Sequence, residues 1–312
     1  MELGARWPRR PGATLTEARR ATNLPDGPDD LDALPRVPAP RPWRWVAGAV
    51  GLVLAAQFGH GLVTNPAWEW GTFFDYLLSE TVVSAVWVTV QLVLVSGVLG
   101  FALGSLIGAM RLSRSRMLRG VAGTYVWALR SVPLMVQLLF WFNLAYLYRR
   151  IGLGIPFGPV LVSVDTLHLI GTMAAAVIGL TLHQSAYAAE IIRGGVASVD
   201  PGQMAAAEAL GIPRLRQWRR ILLPQAMRAI LPNAVNEIVS LLKSTSLVSV
   251  MAIGELFYRV QILYGRNGRV VPLLMVATVW YLALTTVLTL VQHRVERRFA
   301  WVGSDGDGRA AA

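Results

Sequence analysis

The chain has 312 residues, of which 54% are hydrophobic and 15% charged, and its mean hydropathy is +0.48, a balance that excludes an average soluble domain and points to a polytopic membrane protein. Its net charge of +11 comes from 29 Lys and Arg against 18 Asp and Glu, carried largely by arginines in short segments between apolar runs, which suits the cytoplasmic face of a lipid membrane better than nucleic acid. Cysteine is absent, so disulfides, thiolate metal sites and thiol nucleophiles are excluded.

Residues 1–42 are rich in Pro, Arg, Asp and Ala and cannot bury enough surface to fold alone, so a disordered cytoplasmic tail is expected, with no cleavable signal peptide. Arg36, Arg41 and Arg44 precede the first apolar run, from Trp45 to about Val63, and place the amino terminus inside. Trp43, Trp45, Trp68 and Trp70 flank that run as interfacial aromatics, and residues 64–80 form a short external segment along the surface. Residues 43–80 thus read as an extra N-terminal transmembrane helix with an external segment.

A second span runs from about Thr81 to Met110. Gly100, Gly104 and Gly108 recur every fourth residue along it and strip one helix stripe of side chains, the signature of close helix packing. Arg111, Arg114, Arg116 and Arg119 then mark a cytoplasmic loop. The third span, about Gly120 to Leu147, is interrupted by Arg130-Ser131-Val132-Pro133. An arginine and a proline inside hydrocarbon must face protein or a water-filled cavity, so the element either breaks the helix or contacts a transport path. Residues 148–165, with glycines, prolines and Asp165, are expected outside. A fourth span, about Leu167 to Ile192, carries His183, Gln184, Ser185, Tyr187 and Glu190. His183 reads as either a hydrogen-bonded packing residue or a ligand, and no second histidine sits at metal-ligand spacing. Glu190 and Arg193 form a pair near the interface.

The longest polar stretch is Asp200 to Pro224. It reads as two short helices joined at a glycine. Asp200 caps the first, Pro201 takes its first position and Gln203 stands where a capping-box partner belongs. Gly211 supplies the left-handed residue that ends it, and Pro213 starts the next helix, whose apolar face is Leu215, Trp218, Ile221 and Leu222. The fifth span, Asn233 to about Val260, holds Glu237, Lys243, Ser244, Thr245 and Ser246. Lys243 serves as a snorkelling anchor or as a functional charge. Arg259, Arg266 and Arg269 fall on the external side, against the positive-inside bias. The last span, about Val270 to Val291, ends at His293, Arg294, Arg297 and Arg298, which return the carboxyl terminus to the cytoplasm. Residues 299–312 read as a disordered tail.

The Asp200–Pro224 segment resembles the loop Glu-Ala-Ala-x3-Gly-x9-Ile-x-Leu-Pro of permease subunits in bacterial ATP-binding-cassette importers. Ala206, Ala207, Gly211, Ile221, Leu223 and Pro224 match, and Ala205 stands where the motif has glutamate; whether Glu208 offers a replacement carboxylate stays open. Arg130 to Gln137 resembles the Arg-Gly-Thr-Pro-Leu-Leu-Val-Gln element of the polar amino-acid importers, and Tyr187 to Gly195 and Lys243 to Val250 resemble further elements of that family, with Ser244 where aspartate is usual. The resemblance, over about residues 80–300, implies an all-α type I permease fold of about six transmembrane helices, with the permease domain at 81–298 and the loop at about 198–224. It implies docking of that loop on an ATPase through Gly202, Gln203, Ala205, Ala206, Ala207, Glu208, Leu210, Gly211, Ile221, Leu223 and Pro224. It also implies a bacterial inner-membrane location, a second permease subunit, ATPase subunits that use the ATP, and an extracytoplasmic binding protein. Candidate substrate-path residues are Arg130, Pro133, Gln137, His183, Gln184, Tyr187, Glu237, Lys243 and Thr245. The chain has no phosphate-binding loop and no hydrolase or metalloprotease motif, so no catalytic residue, metal or directly bound cofactor is expected. A permease for another small solute, such as a compatible solute, an opine or a peptide, and a non-transporting scaffold or sensor are the other readings.

Overall fold

The computed structural model describes residues 42–154, 160–166 and 170–300, and the expected disordered tails lie almost wholly outside them. The described residues fall into two compact units divided after Asn65. The first is helix α1 (Pro42–Thr64), whose stretch Trp45–Thr64 is long and apolar enough to cross a membrane.

The second unit begins with a single 3-10 turn (Pro66–Trp68) and α2 (Trp70–Leu77). This segment does not lie loosely along a surface. Phe73 is buried in a cluster with Val82, Val86, Leu256 and Leu273, because its ring removes more apolar area from water in that cleft than at an interface. Trp68 stacks on Trp70, and the Trp280 indole donates to the Leu77 carbonyl.

Helix α3 (Glu80–Arg111) has 32 residues, about 48 Å at the usual rise, with Glu80 in its first turn and Arg111 in its last, each favourable to the helix dipole. It packs in parallel on α7 (Thr172–Ala197) along its glycine stripe. A Cβ on Gly104 would lie 2.5 Å from Ala188 Cβ, one on Gly100 2.6 Å from Gln184 Cγ, and one on Gly108 3.2 Å from Ile192. At these three glycines the two helices approach too closely for a side chain on α3.

The third expected span is two helices, α4 (Arg116–Ser131) and α5 (Leu134–Phe142), bent by 100°. Pro133 crowds the residue before it, so Val132 is extended (φ −93°, ψ 130°) and α4 ends there. After the short α6 (Leu144–Leu147), strands β1 (Arg150–Gly154) and β2 (Val160–Asp165) pair antiparallel, a pairing not expected from the glycines and prolines of 148–165.

Following α7 come α8 (Pro201–Ala209) and α9 (Arg214–Gln217). A π turn (Trp218–Leu222) then runs without interruption into α10 (Leu223–Ser244). The fifth span therefore starts well before Asn233. It ends in a 3-10 turn (Thr245–Met251), and α11 (Leu256–Asn267) is a separate helix capped by Glu255. Helix α12 (Val270–Ala300) closes the unit. The central core joins Leu92, Leu138, Leu180, Leu241, Val248 and Met251 from five elements. Among the described residues four helices are long and apolar enough to cross a membrane, or five if the bent α4–α5 pair is one span. The remaining expected span, α7, has the length but carries polar residues, since it sits inside the bundle rather than against lipid.

Because nothing can move out of the way at Gly104, Gly104→Ala is expected to lower unfolding stability by about 1–3 kcal/mol. Gly120→Ala, with open space around its Cβ, is expected to lower it not at all. Thermal denaturation of the two variants in detergent measures the difference.

Candidate translocation path and coupling loop

The knuckle at 200–213 is built by its termini. Asp200 Oδ1 accepts from the Gly202 amide at 2.8 Å, and Pro201 occupies the first position of α8. Gln203 returns no side-chain bond among the described residues, so the cap is a single bond and not the expected box. At the far end Gly211 sits at φ +66°, its amide donating to Glu208 O and that of Ile212 to Ala207 O, the paired bonds of a Schellman motif. Ala207 is buried, whereas Gln203, Ala205, Ala206, Glu208 and Leu210 form an exposed surface. The Glu208 carboxylate makes no ion pair or hydrogen bond among the described residues.

The second half departs from expectation. Leu215 is 70% and Trp218 44% exposed, Ile221 is half-buried, and only Leu222 of the predicted apolar face is buried. Gln217 is buried instead, with Nε2 donating to Ile212 O. From Trp218 onward the π turn shifts each following side chain around the axis relative to an ideal helix, which a 3.6-residue period cannot foresee, while Leu215, ahead of it, is left uncovered. Leu223 and Pro224 are exposed at the start of α10. Leu222, Ala226 and Ile230 pack on Val199 with Ile191, Ile192 and Val196 of α7, and a Cβ on Gly195 would lie 2.3 Å from Ile230. The knuckle thus rests on α7 at one end and α10 at the other.

A second group forms where α4 breaks. The Arg130 guanidinium lies 5.0 Å above the Tyr187 ring, and the Tyr187 and His183 rings are 4.9 Å apart. His183 Nδ1 lies 3.4 Å from Gln137 Nε2, which donates at 2.7 Å to the Leu129 and Val132 carbonyls freed by the break. Glu237 of α10 is half-buried and within electrostatic range of Arg130, without an ion pair between the two. Pro133 caps the bend. The structure therefore brings together Arg130, Pro133, Gln137, His183, Tyr187 and Glu237. It does not bring in the others. Gln184 is turned into the α3 glycine stripe, the Thr245 hydroxyl is buried and donates to Leu242 O, and Lys243 is exposed elsewhere on α10.

One charge cluster was only half visible in the sequence. Glu190 pairs with Arg193 at 2.9 Å, as its spacing suggested, but also with Arg111 of α3 at 2.9 Å. The lone arginine ending a distant helix gave no signal beyond loop charge. Among the described residues there is no group of three or more His, Asp or Glu arranged to hold a metal ion.

The family described as "Binding-protein-dependent transport system inner membrane component" matches residues 100–301. The chain belongs to this family. It is the membrane-embedded permease subunit of an ATP-driven importer, and ATP hydrolysis lies in a separate subunit. An arginine transport system permease protein, ArgU, of Corynebacterium glutamicum is 39% identical over 290 residues, covering 89% of this chain and 88% of the relative, a share too large to leave out the N-terminal unit. An L-cystine transport system permease protein, TcyB, of Bacillus subtilis is 34% identical, covering 68% and 84%. Among solved structures, an amino acid transporter of the ATP-binding-cassette type, crystallised with histidines, superposes with a TM-score of 0.59 at 30% identity over 70% of this chain and 94% of that one. The methionine transporter MetNI shares the fold, with a TM-score of 0.58 at 20% identity over 71% and 99%.

In this permease Arg111 and Glu190 tie α3 to α7 just above the loop. Removing either is expected to destabilise the subunit by about 1–2 kcal/mol, with a coupling near 1 kcal/mol in a double-mutant cycle of Arg111→Gln and Glu190→Gln. Strictly additive melting shifts would show that the pair contributes nothing.

Proposed function

We propose that this permease carries a polar amino acid across the bacterial cytoplasmic membrane, with residues 81–298 as the permease domain, residues 43–80 as an added N-terminal span, and both termini in the cytoplasm. The observation that carries the substrate class is the grouping of Arg130 with Tyr187, His183 and Gln137 at a broken helix, with a carboxylate, Glu237, offered by α10. A zwitterion presents a carboxylate and an ammonium. A guanidinium on one element and a carboxylate on another match both, with the ring and amide groups satisfying what remains. The cargoes for which the two relatives are named, arginine and L-cystine, favour the same class. A second reading, an opine, is favoured by the nopaline transport permease NocM of Agrobacterium fabrum, 33% identical over 66% of this chain.

The loop 200–224 is the element an ATPase subunit would engage, through the exposed face of Gln203, Ala205, Ala206, Glu208 and Leu210. Its two ends are the ends of α7 and α10, so displacement of α8 moves both helices as rigid bodies and opens the space between Tyr187 and Glu237 to alternate sides. A second permease subunit completes the path, and an extracytoplasmic binding protein delivers the substrate.

In proteoliposomes holding the complex with ATP on the ATPase side, Arg130→Gln and Glu237→Gln are each expected to lower uptake of labelled arginine or glutamine more than tenfold while the complex still assembles. Undiminished uptake in both variants would remove the substrate assignment, and uptake of nopaline in preference to amino acids would select the opine. Gly211→Val places a β-branched residue at positive φ and is expected to leave ATP hydrolysis running without uptake; normal uptake by that variant would count against loop docking. Since the natural chain has no cysteine, Arg214→Cys gives a single reporter, expected to react with a membrane-impermeant maleimide only in inside-out vesicles.

A further inference from the structure

The arginines of the second half of the loop take no part in the docking face of α8, and the packing of the subunit does not use them. Arg214, Arg216, Arg219 and Arg220 are all exposed, and among the described residues none of their guanidinium groups makes an ion pair or hydrogen bond. No Asp or Glu occurs anywhere between Glu208 and Glu237, so the chain supplies no local countercharge. Arg216, Arg219 and Arg220 stand at i, i+3 and i+4, where like charges repel. Together with Pro213 and Leu215 they line one concave pocket of about 620 Å³. Three guanidiniums converging without a partner make a site for an anion with several oxygens, and phosphate fits their planar fork.

The surroundings decide what carries the phosphate. Leu215, in the pocket wall, is 70% exposed, and Trp218, between the arginines, is 44% exposed. Leu223 of the uninterrupted α10 follows within a turn and is 47% exposed. A free anion gains nothing from apolar side chains beside it, whereas a lipid places its acyl chains against them. A basic segment with tryptophan at the foot of a span is also the composition that attracts an anionic leaflet. We propose that Arg216, Arg219 and Arg220 bind the phosphate of an anionic phospholipid headgroup, with Leu215 and Trp218 lying against its glycerol and upper acyl chain. The proposal rests on the cytoplasmic placement of the loop, which the Arg214→Cys labelling tests separately.

The experiment isolates the permease in complex with its ATPase from membranes, reconstitutes it in nanodiscs of phosphatidylcholine with and without phosphatidylglycerol, and counts retained phosphatidylglycerol per complex by native mass spectrometry. The wild type is expected to retain bound phosphatidylglycerol through detergent washing, and the triple variant Arg216→Gln, Arg219→Gln, Arg220→Gln to retain several-fold less. The Arg→Lys triple variant, which keeps the charge and loses the fork, is expected to fall between them. Should the triple Gln complex fail to assemble, Arg216→Gln and Arg220→Gln are read singly and each is expected to lower retention. Equal retention in wild type and Gln variants overturns the proposal. So does displacement of the lipid by millimolar inorganic phosphate, which would mark a free-anion site. Loss of the ATPase with unchanged lipid retention also overturns it, by assigning the patch to a protein partner.

Discussion

The close parallel contact of α3 with α7 is the constraint on which the rest of this permease depends. Lipid tails are as apolar as leucine, so burying apolar side chains between two membrane helices gains little, and association must come from packing and polar contacts. Gly100, Gly104 and Gly108 answer that requirement by letting the α3 backbone reach the Ser185 and Ala189 backbone directly. Once α7 is held in this way, its polar residues are surrounded by protein. His183 and Tyr187 face the α4 break, Tyr125 shares a hydrogen bond with Ser185, and Glu190 takes Arg111.

Held so firmly, α7 also becomes the base of the 200–224 loop. Its last turn carries Val196, Val199 follows just beyond it, and the π turn and foot of α10 settle on them through Leu222, Ala226 and Ile230. Asp200 then starts the knuckle immediately, with no slack between lever and bundle. The same economy governs the break at Pro133. The proline frees two carbonyls that hydrocarbon could not solvate, and Gln137 satisfies both from the next helix while its amide reaches toward His183. His183 and the amide that repairs the backbone are therefore neighbours for one reason.

The arginines at the opposite end show how a simple charge rule is reconciled with structure. Arg269, expected on the external side against the positive-inside bias, pairs with Glu69 at 3.2 Å and donates to Thr72 of α2. Arg259 lies against Gly254, where a Cβ would meet its Nη2 at 2.9 Å. A paired or enclosed guanidinium is a structural clasp rather than a loop charge, and the bias counts loop charges.

What the sequence determined by itself were the features fixed within a few residues of backbone: the cap at Asp200, the left-handed turn at Gly211, the interruption at Pro133, and the glycine stripe at a spacing of four. Each follows from local sterics and from hydrogen bonds between near neighbours. Tertiary structure alone decided which side chains meet. It drew Gln184 into the α3 contact and away from the path, set Arg111 against Glu190, docked Phe73 in the bundle, and left Leu215 and Trp218 uncovered. Those outcomes turn on how helices far apart in the chain are rotated and placed about one another, and a single π turn changes that rotation without leaving a mark in the hydrophobic period.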